Sequence, residues 1–115
     1  MRLNHKQGVA GEDAALAFLQ GRGCRLVERN WHCAFGEIDL IVKNGNTILF
    51  VEVKYRKNGG FGGAAYSITP SKLAKLRKTA EHYLQQHGLS HAPCRLDAVL
   101  IQGENPPEWV QNITG

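Results

Sequence analysis

A chain of 115 residues forms one domain with room for one core. Hydrophobic residues at 43% and charged residues at 21% match globular averages, which excludes wholesale disorder. Against 10 acidic residues stand 14 Lys and Arg, a net charge of +4 that suits an anionic partner such as nucleic acid and equally suits an ordinary solvated surface.

The opening residues MRLNHKQG carry no apolar signal core, and no apolar run approaches the roughly 18 to 20 residues of a membrane span. The expectation is a cytoplasmic protein with no membrane partner. Cys24, Cys33 and Cys94 are odd in number and form no CxxC pair, which argues against a disulfide framework. His32-Cys33 has no second pair at ligand spacing, which argues against zinc.

In chain order, residues 6 to 21 read as a helix, with Val9, Glu12, Leu16 and Leu19 at the spacing of one face. Glu12 falls on the apolar stripe and Phe18 off it. Gly21 and Gly23 end the helix. Residues 25 to 31 predict a first strand and residues 36 to 43 a second, closed by the turn signal Asn44-Gly45-Asn46. Thr47 to Arg56 predict a third strand, rich in β-branched and aromatic residues. Lys57 to Gly63 holds four glycines and reads as a loop, either a flexible connector or a segment that closes on a DNA backbone.

Thr69-Pro70 is an N-cap followed by a proline at the first helical position. In the helix that follows, Leu73, Leu76, Ala80, Tyr83 and Leu84 make the apolar face; Lys72, Lys75, Lys78, His82 and Gln86 make the polar one. Gly88 stops it. Cys94 to Gln102 predict a fourth strand, and Trp109 to Ile113 a short edge strand. The order α-β-β-β-α-β-(β) predicts an α+β or α/β sandwich, a mixed sheet between two helices.

The strands around the Asn-Gly-Asn turn carry the chemistry. A two-residue loop pairs positions whose numbers have an odd sum, so Glu37, Asp39 and Ile41 share a face with Phe50, Glu52 and Lys54. With Gly45-Asn46 as the loop, Asp39 stands opposite Glu52; with Asn44-Gly45 it is one diagonal step away. Like charges facing each other destabilise a sheet, and these share their face with Ile41 and Phe50. A hard cation such as Mg²⁺ or Mn²⁺ removes the repulsion by taking carboxylate oxygens. The Lys54 ammonium, on the same face, could polarise a bound water or stabilise a pentavalent phosphate. Taken singly, Glu52 and Lys54 also fit a solvated strand face and Asp39 an edge charge. Lys72, Lys75 and Lys78 either track phosphates or form an ordinary solvated face. Asp97 is either an extra site carboxylate or a structural partner for Arg95.

Asp39 followed by Glu52-Val53-Lys54 matches the PD-(D/E)xK nuclease motif, with Ile38 where the motif's name has proline. Gly36-Glu37-Ile38-Asp39-Leu40-Ile41 and Phe50-Val51-Glu52-Val53-Lys54-Tyr55-Arg56 resemble the signature blocks of the YraN family of small bacterial proteins; Gly11-Glu12, Arg29-Asn30, Lys72 and Arg95-Leu96-Asp97 also fit. The resemblance spans essentially the whole chain. It implies a restriction-endonuclease-like fold, similar to archaeal Holliday-junction resolvases, in which a helix glutamate, a strand aspartate and the E-x-K pair form the site. Carried over, these are Glu12, Asp39, Glu52 and Lys54 as catalytic residues, with a metal held by Asp39, Glu52 and the Val53 carbonyl. Apart from the resemblance, Arg56 and the helical face of Lys72, Lys75 and Lys78 are the expected nucleic-acid contacts. The implied function is Mg²⁺- or Mn²⁺-dependent hydrolysis of DNA phosphodiesters at branched or otherwise non-duplex structures, with a homodimer presenting two sites. The rival is a non-catalytic nucleic-acid-binding module on the same fold, and a third reading is a protein-interaction domain.

Overall fold

The computed structural model describes residues 5–56 and 68–114, with side chains from residue 10 onward. The glycine-rich loop over residues 57–63 and the side chain of Val9 lie outside the described residues.

The elements run α1 (His5–Gln20), β1 (Arg25–Cys33), β2 (Gly36–Asn44), β3 (Thr47–Arg56), α2 (Pro70–Gln86), β4 (Cys94–Gln102) and β5 (Glu108–Val110). The strands form one mixed sheet in the order β1-β2-β3-β4-β5. The pairings β1–β2, β2–β3 and β4–β5 are antiparallel, and β3–β4 is parallel with α2 as its crossover. The mixed α/β architecture expected from the sequence is present.

Side-chain alternation explains why a helix lies on each face of the sheet. Leu40, Val42, Leu49, Val51, Val99 and Ile101 pack with Ala15 and Leu19 of α1. Ile41, Ile48, Phe50 and Leu96 pack with Leu76, Ala80, Tyr83 and Leu84 of α2. The α1 stripe is rotated from the expected one. Gly11, Ala15 and Leu19 are buried while Leu16 and Phe18 are half-buried. Phe18 meets Trp109 edge to face at 6.4 Å, so β5 supplies the apolar contact that the helix pattern alone could not foresee.

The β2–β3 turn is Gly45-Asn46, because Asn44 pairs with Thr47. Gly45 has φ 62°, the positive value that the first central residue of such a tight hairpin turn demands. α2 starts as its sequence dictates: Thr69 is extended, and its Oγ1 accepts the Lys72 N–H at 3.1 Å.

The β1–β2 register shifts between Leu26 and Glu28, and strict alternation also fails beside Asp39. Ile38 packs with the α2 cluster, whereas Leu40 packs with the α1 cluster, although residues two apart should share a face. On β1, Asn30 lies between the partners of Leu40 and Ile38 and has φ 53°. Both strands are therefore irregular beside Asp39.

Gly36 fixes how closely β2 approaches α2. A Cβ there would stand 2.9 Å from Thr79 Oγ1, at φ +156°. Thr79 is fully buried and its hydroxyl donates to the Lys75 carbonyl at 2.7 Å, so it has nowhere to retreat. Gly36→Ala is expected to cost roughly 1–3 kcal/mol through overpacking. Urea unfolding should show a lower midpoint with an unchanged m value.

Candidate functional site

A cleft of about 350 Å³ opens between the start of β2, the middle of β3 and the first turns of α2. Asp39 and Glu52 form one wall; Thr69, Ser71, Lys72, Lys75 and Thr79 form the other.

The irregularity at Asp39 positions its carboxylate. The β2–β3 ladder runs from Asn44↔Thr47 to Leu40↔Val51. Beyond it, Asp39 Oδ2 accepts the Val53 N–H at 2.8 Å, so a side chain takes the backbone donor that a regular ladder would pair with the main chain. The Val53 carbonyl leaves the strand on the same edge as its N–H. The carboxyl of Asp39 is pushed up to about 7. Burial is the largest cause and the Glu52 carboxylate the next; the Val53 N–H pulls the other way, and Glu12 and Glu37 add to the rise.

Glu52 is buried, yet it projects from the apolar face of β3 that carries Phe50. Both its ion-pair partners meet the same oxygen. Lys72 Nζ lies 2.9 Å and Lys54 Nζ 3.3 Å from Oε2. Burial lowers the proton affinity of Lys54, and the neighbouring Lys72 lowers it further, against the pull of Glu52. For Lys72 burial acts in the same downward sense, but the Lys54 amine and Glu52 outweigh it and its pKa rises. The physical picture is a more exposed lysine that keeps its proton beside a more enclosed one that holds it less firmly.

The other expected residues divide clearly. Lys54 reaches the site through Glu52 and does not line the cleft itself. Glu12 faces Arg29 at 3.4 Å, and Arg29 also binds Asp13 at 2.8 Å; Glu12 adds to the field at Asp39 without lining the cleft. Arg56 is exposed at the end of β3 and is not a lining residue. The three lysines of α2 do not act as one stripe: Lys72 turns to Glu52, Lys75 lines the cleft, and Lys78 lies 5.3 Å from the centre of the exposed Phe35 ring. Asp97 lies outside the cleft. It is fully buried and accepts from Arg95 Nε, Trp109 Nε1 and the Asn112 N–H, each at 2.9 Å, which makes it a structural anchor for the C-terminal segment. Thr69, Ser71 and Thr79 also line the cleft. The N-cap signal Thr69-Pro70 marks the start of α2, and only the docking of that helix on β2 brings it to the carboxylates.

Among the described residues no group of three or more His, Cys, Asp or Glu stands at metal-binding spacing. Glu37 lines the cleft as well, and Asp39 and Glu52 nevertheless fit Mg²⁺ chemistry. That ion commonly takes one or two carboxylates and completes its shell with waters and substrate phosphate. The buried carboxyl of Asp39, raised by its acidic neighbour, is a place where added positive charge lowers the energy.

No helix among the described residues is long and apolar enough to cross a membrane. The family model described as "Uncharacterised protein family UPF0102" matches residues 11–101. A UPF0102 protein of Neisseria meningitidis serogroup C is 76% identical over 115 residues, all of both chains. One from Neisseria gonorrhoeae is likewise 76% identical over the full length of both. One from Nitrosomonas eutropha is 48% identical over 112 residues, 97% of this chain and 96% of its own. The chain belongs to the UPF0102 family, the family its sequence resembles under the name YraN.

Proposed function

We propose that this protein is a divalent-metal-dependent nuclease that hydrolyses DNA phosphodiesters at branched or otherwise non-duplex structures. The observation that carries the reading is the pairing of Asp39 and Glu52 on one wall of a cleft whose opposite wall supplies Lys72 and Lys75. Asp39, Glu52 and the Val53 carbonyl would hold Mg²⁺ or Mn²⁺. Once bound, such an ion supplies Lewis-acid polarisation of the phosphoryl oxygen and a more acidic water.

The chain's own residues do the rest. The Val53 N–H fixes the orientation of the Asp39 carboxylate. Lys54, anchored through Glu52, holds a cationic N–H donor beside the attacked phosphate, where negative charge grows. Lys75 adds positive charge on the far wall and draws the phosphate backbone in. One observation favours the rival, a nucleic-acid-binding module without turnover: Glu52 is already neutralised by two lysines.

The test is cleavage of a panel of linear, single-stranded and four-way-junction DNA with Mn²⁺ or Mg²⁺. Wild type should cut at least one branched substrate. Lys54→Ala should lose roughly 10²- to 10³-fold in rate, the range seen on removing a charge-stabilising donor. DNA binding that survives in chelator, with no cleavage of any substrate, would replace the nuclease by the binding module.

A further inference from the structure

Lys72 stands where two ligands of the site would meet. Its ammonium is 2.9 Å from Glu52 Oε2, closer than the 3.3 Å of Lys54 to the same oxygen. It belongs to the first turn of α2, fixed by the Thr69 cap, and its side chain keeps 38% of its exposure while Glu52 keeps 6%. Glu52 is thus a fixed, enclosed partner, and Lys72 is a long, half-open side chain at the cleft mouth. Among the described residues Lys75, which also lines the cleft, forms no such pair. A cation that takes Glu52 Oε2 competes with the Lys72 ammonium for one oxygen. A phosphate in the cleft competes with Glu52 for one ammonium.

We propose that Lys72 is a ligand for the substrate phosphate whose resting partner is Glu52, so that phosphate and divalent cation each strengthen the binding of the other. The inference rests on the nuclease reading of the cleft and adds an order to it. Without nucleic acid, Lys72 holds Glu52 and opposes the metal. When a phosphate enters, Lys72 turns to it and Glu52 is released to the cation. Linkage requires the effect to be reciprocal, and couplings of this kind usually amount to about 5- to 150-fold. The arrangement keeps a metal-loaded, hydrolytic site from standing open in the absence of substrate.

The test is Mn²⁺ titration by calorimetry on wild type, Lys72→Ala, Arg77→Ala and Asp39→Asn. Each is measured with and without thymidine 5′-monophosphate, which offers a phosphate but no phosphodiester to cut. Lys72→Ala should bind Mn²⁺ about tenfold more tightly than wild type when no nucleotide is present. The nucleotide should tighten Mn²⁺ binding to wild type and to Arg77→Ala, an exposed α2 cation outside the cleft, and leave Lys72→Ala nearly unmoved. A poorly folded variant would bind more weakly, so tighter binding cannot come from damage. Lys72→Gln, which keeps most of the stem, serves if the alanine variant does not fold. Equal Mn²⁺ affinity in wild type and Lys72→Ala overturns the coupling and leaves the nuclease reading in place. Absence of Mn²⁺ binding in all the proteins, or binding that Asp39→Asn does not weaken, overturns the metal site and the coupling with it.

Discussion

Asp39→Asn should raise the melting temperature of the metal-free protein at pH 8 by roughly 10 °C or more. The folded protein holds this carboxyl at about 7 against an ordinary 3.8, chiefly through burial and then through Glu52. A displacement of that size corresponds to a penalty on the order of 4 kcal/mol for the charged form. The sign follows from proton counts. Between about pH 4 and pH 7 the folded state binds a proton at Asp39 that the unfolded state has lost, so this group's contribution to stability falls as pH rises through that window. Asparagine stays neutral and its amide oxygen can still accept the Val53 N–H. Its advantage should therefore be largest above pH 7 and vanish below pH 4. For a domain of this size a change of several kcal/mol moves the melting point by 10 °C or more. Thermal melts in chelator at pH 4, 6 and 8 measure it. Added Mn²⁺ should then stabilise wild type more than the variant, by mass action on the carboxylate pair. A variant that melts no higher than wild type at pH 8 would show that Asp39 is not a strained acid.

Asp97→Ala should give the largest loss of stability. The carboxylate is fully buried and holds Arg95 Nε, Trp109 Nε1 and the Asn112 N–H. Removing it strands a guanidinium and two neutral donors in a site built around an anion. Breaking one side of a buried charge pair costs about 3–5 kcal/mol. The melting temperature should fall by roughly 15 °C. Glu81→Ala, on the exposed side of α2, should change it little. Asp97→Asn should also destabilise, because one carboxylate oxygen becomes an NH₂ that faces donors. Calorimetry on the three variants decides between an anchor and a dispensable polar group.

Local signals made much of the fold legible. Asn44-Gly45-Asn46 set a hairpin whose register follows from arithmetic, and Thr69-Pro70 set the start of α2. Features that depend on contacts between distant segments were not legible. Face parity grouped Asp39 with Glu52, but β2 turns over between Ile38 and Leu40, and the Asp39 carboxylate ends against a backbone N–H of β3. The sequence left Lys72 with Lys75 and Lys78 on one helical face; only the docking of α2 on β2 and β3 sends Lys72 to Glu52. Asp97 could be read two ways because two of its donors, Trp109 in the three-residue β5 and Asn112 just beyond it, come from a stretch too short for periodicity to place them. Glu12 lay on the expected apolar stripe, and nothing in the helix pattern announced that Arg29 of β1 would meet it.

The parallel pairing of β3 with β4 also imposes a folding sequence. The β2–β3 hairpin closes through a two-residue turn, the shortest loop a sheet can offer, and such hairpins form in about 1–10 μs. The β3–β4 pair forms only after α2 and its connections have closed a much longer stretch of chain, which returns no contacts until it is complete. Asp39 and Glu52 belong to the first event and Lys72 to the second. The folding chain therefore brings its two carboxylates together while one of their neutralising charges is still absent, and electrostatic relief arrives with the slow step.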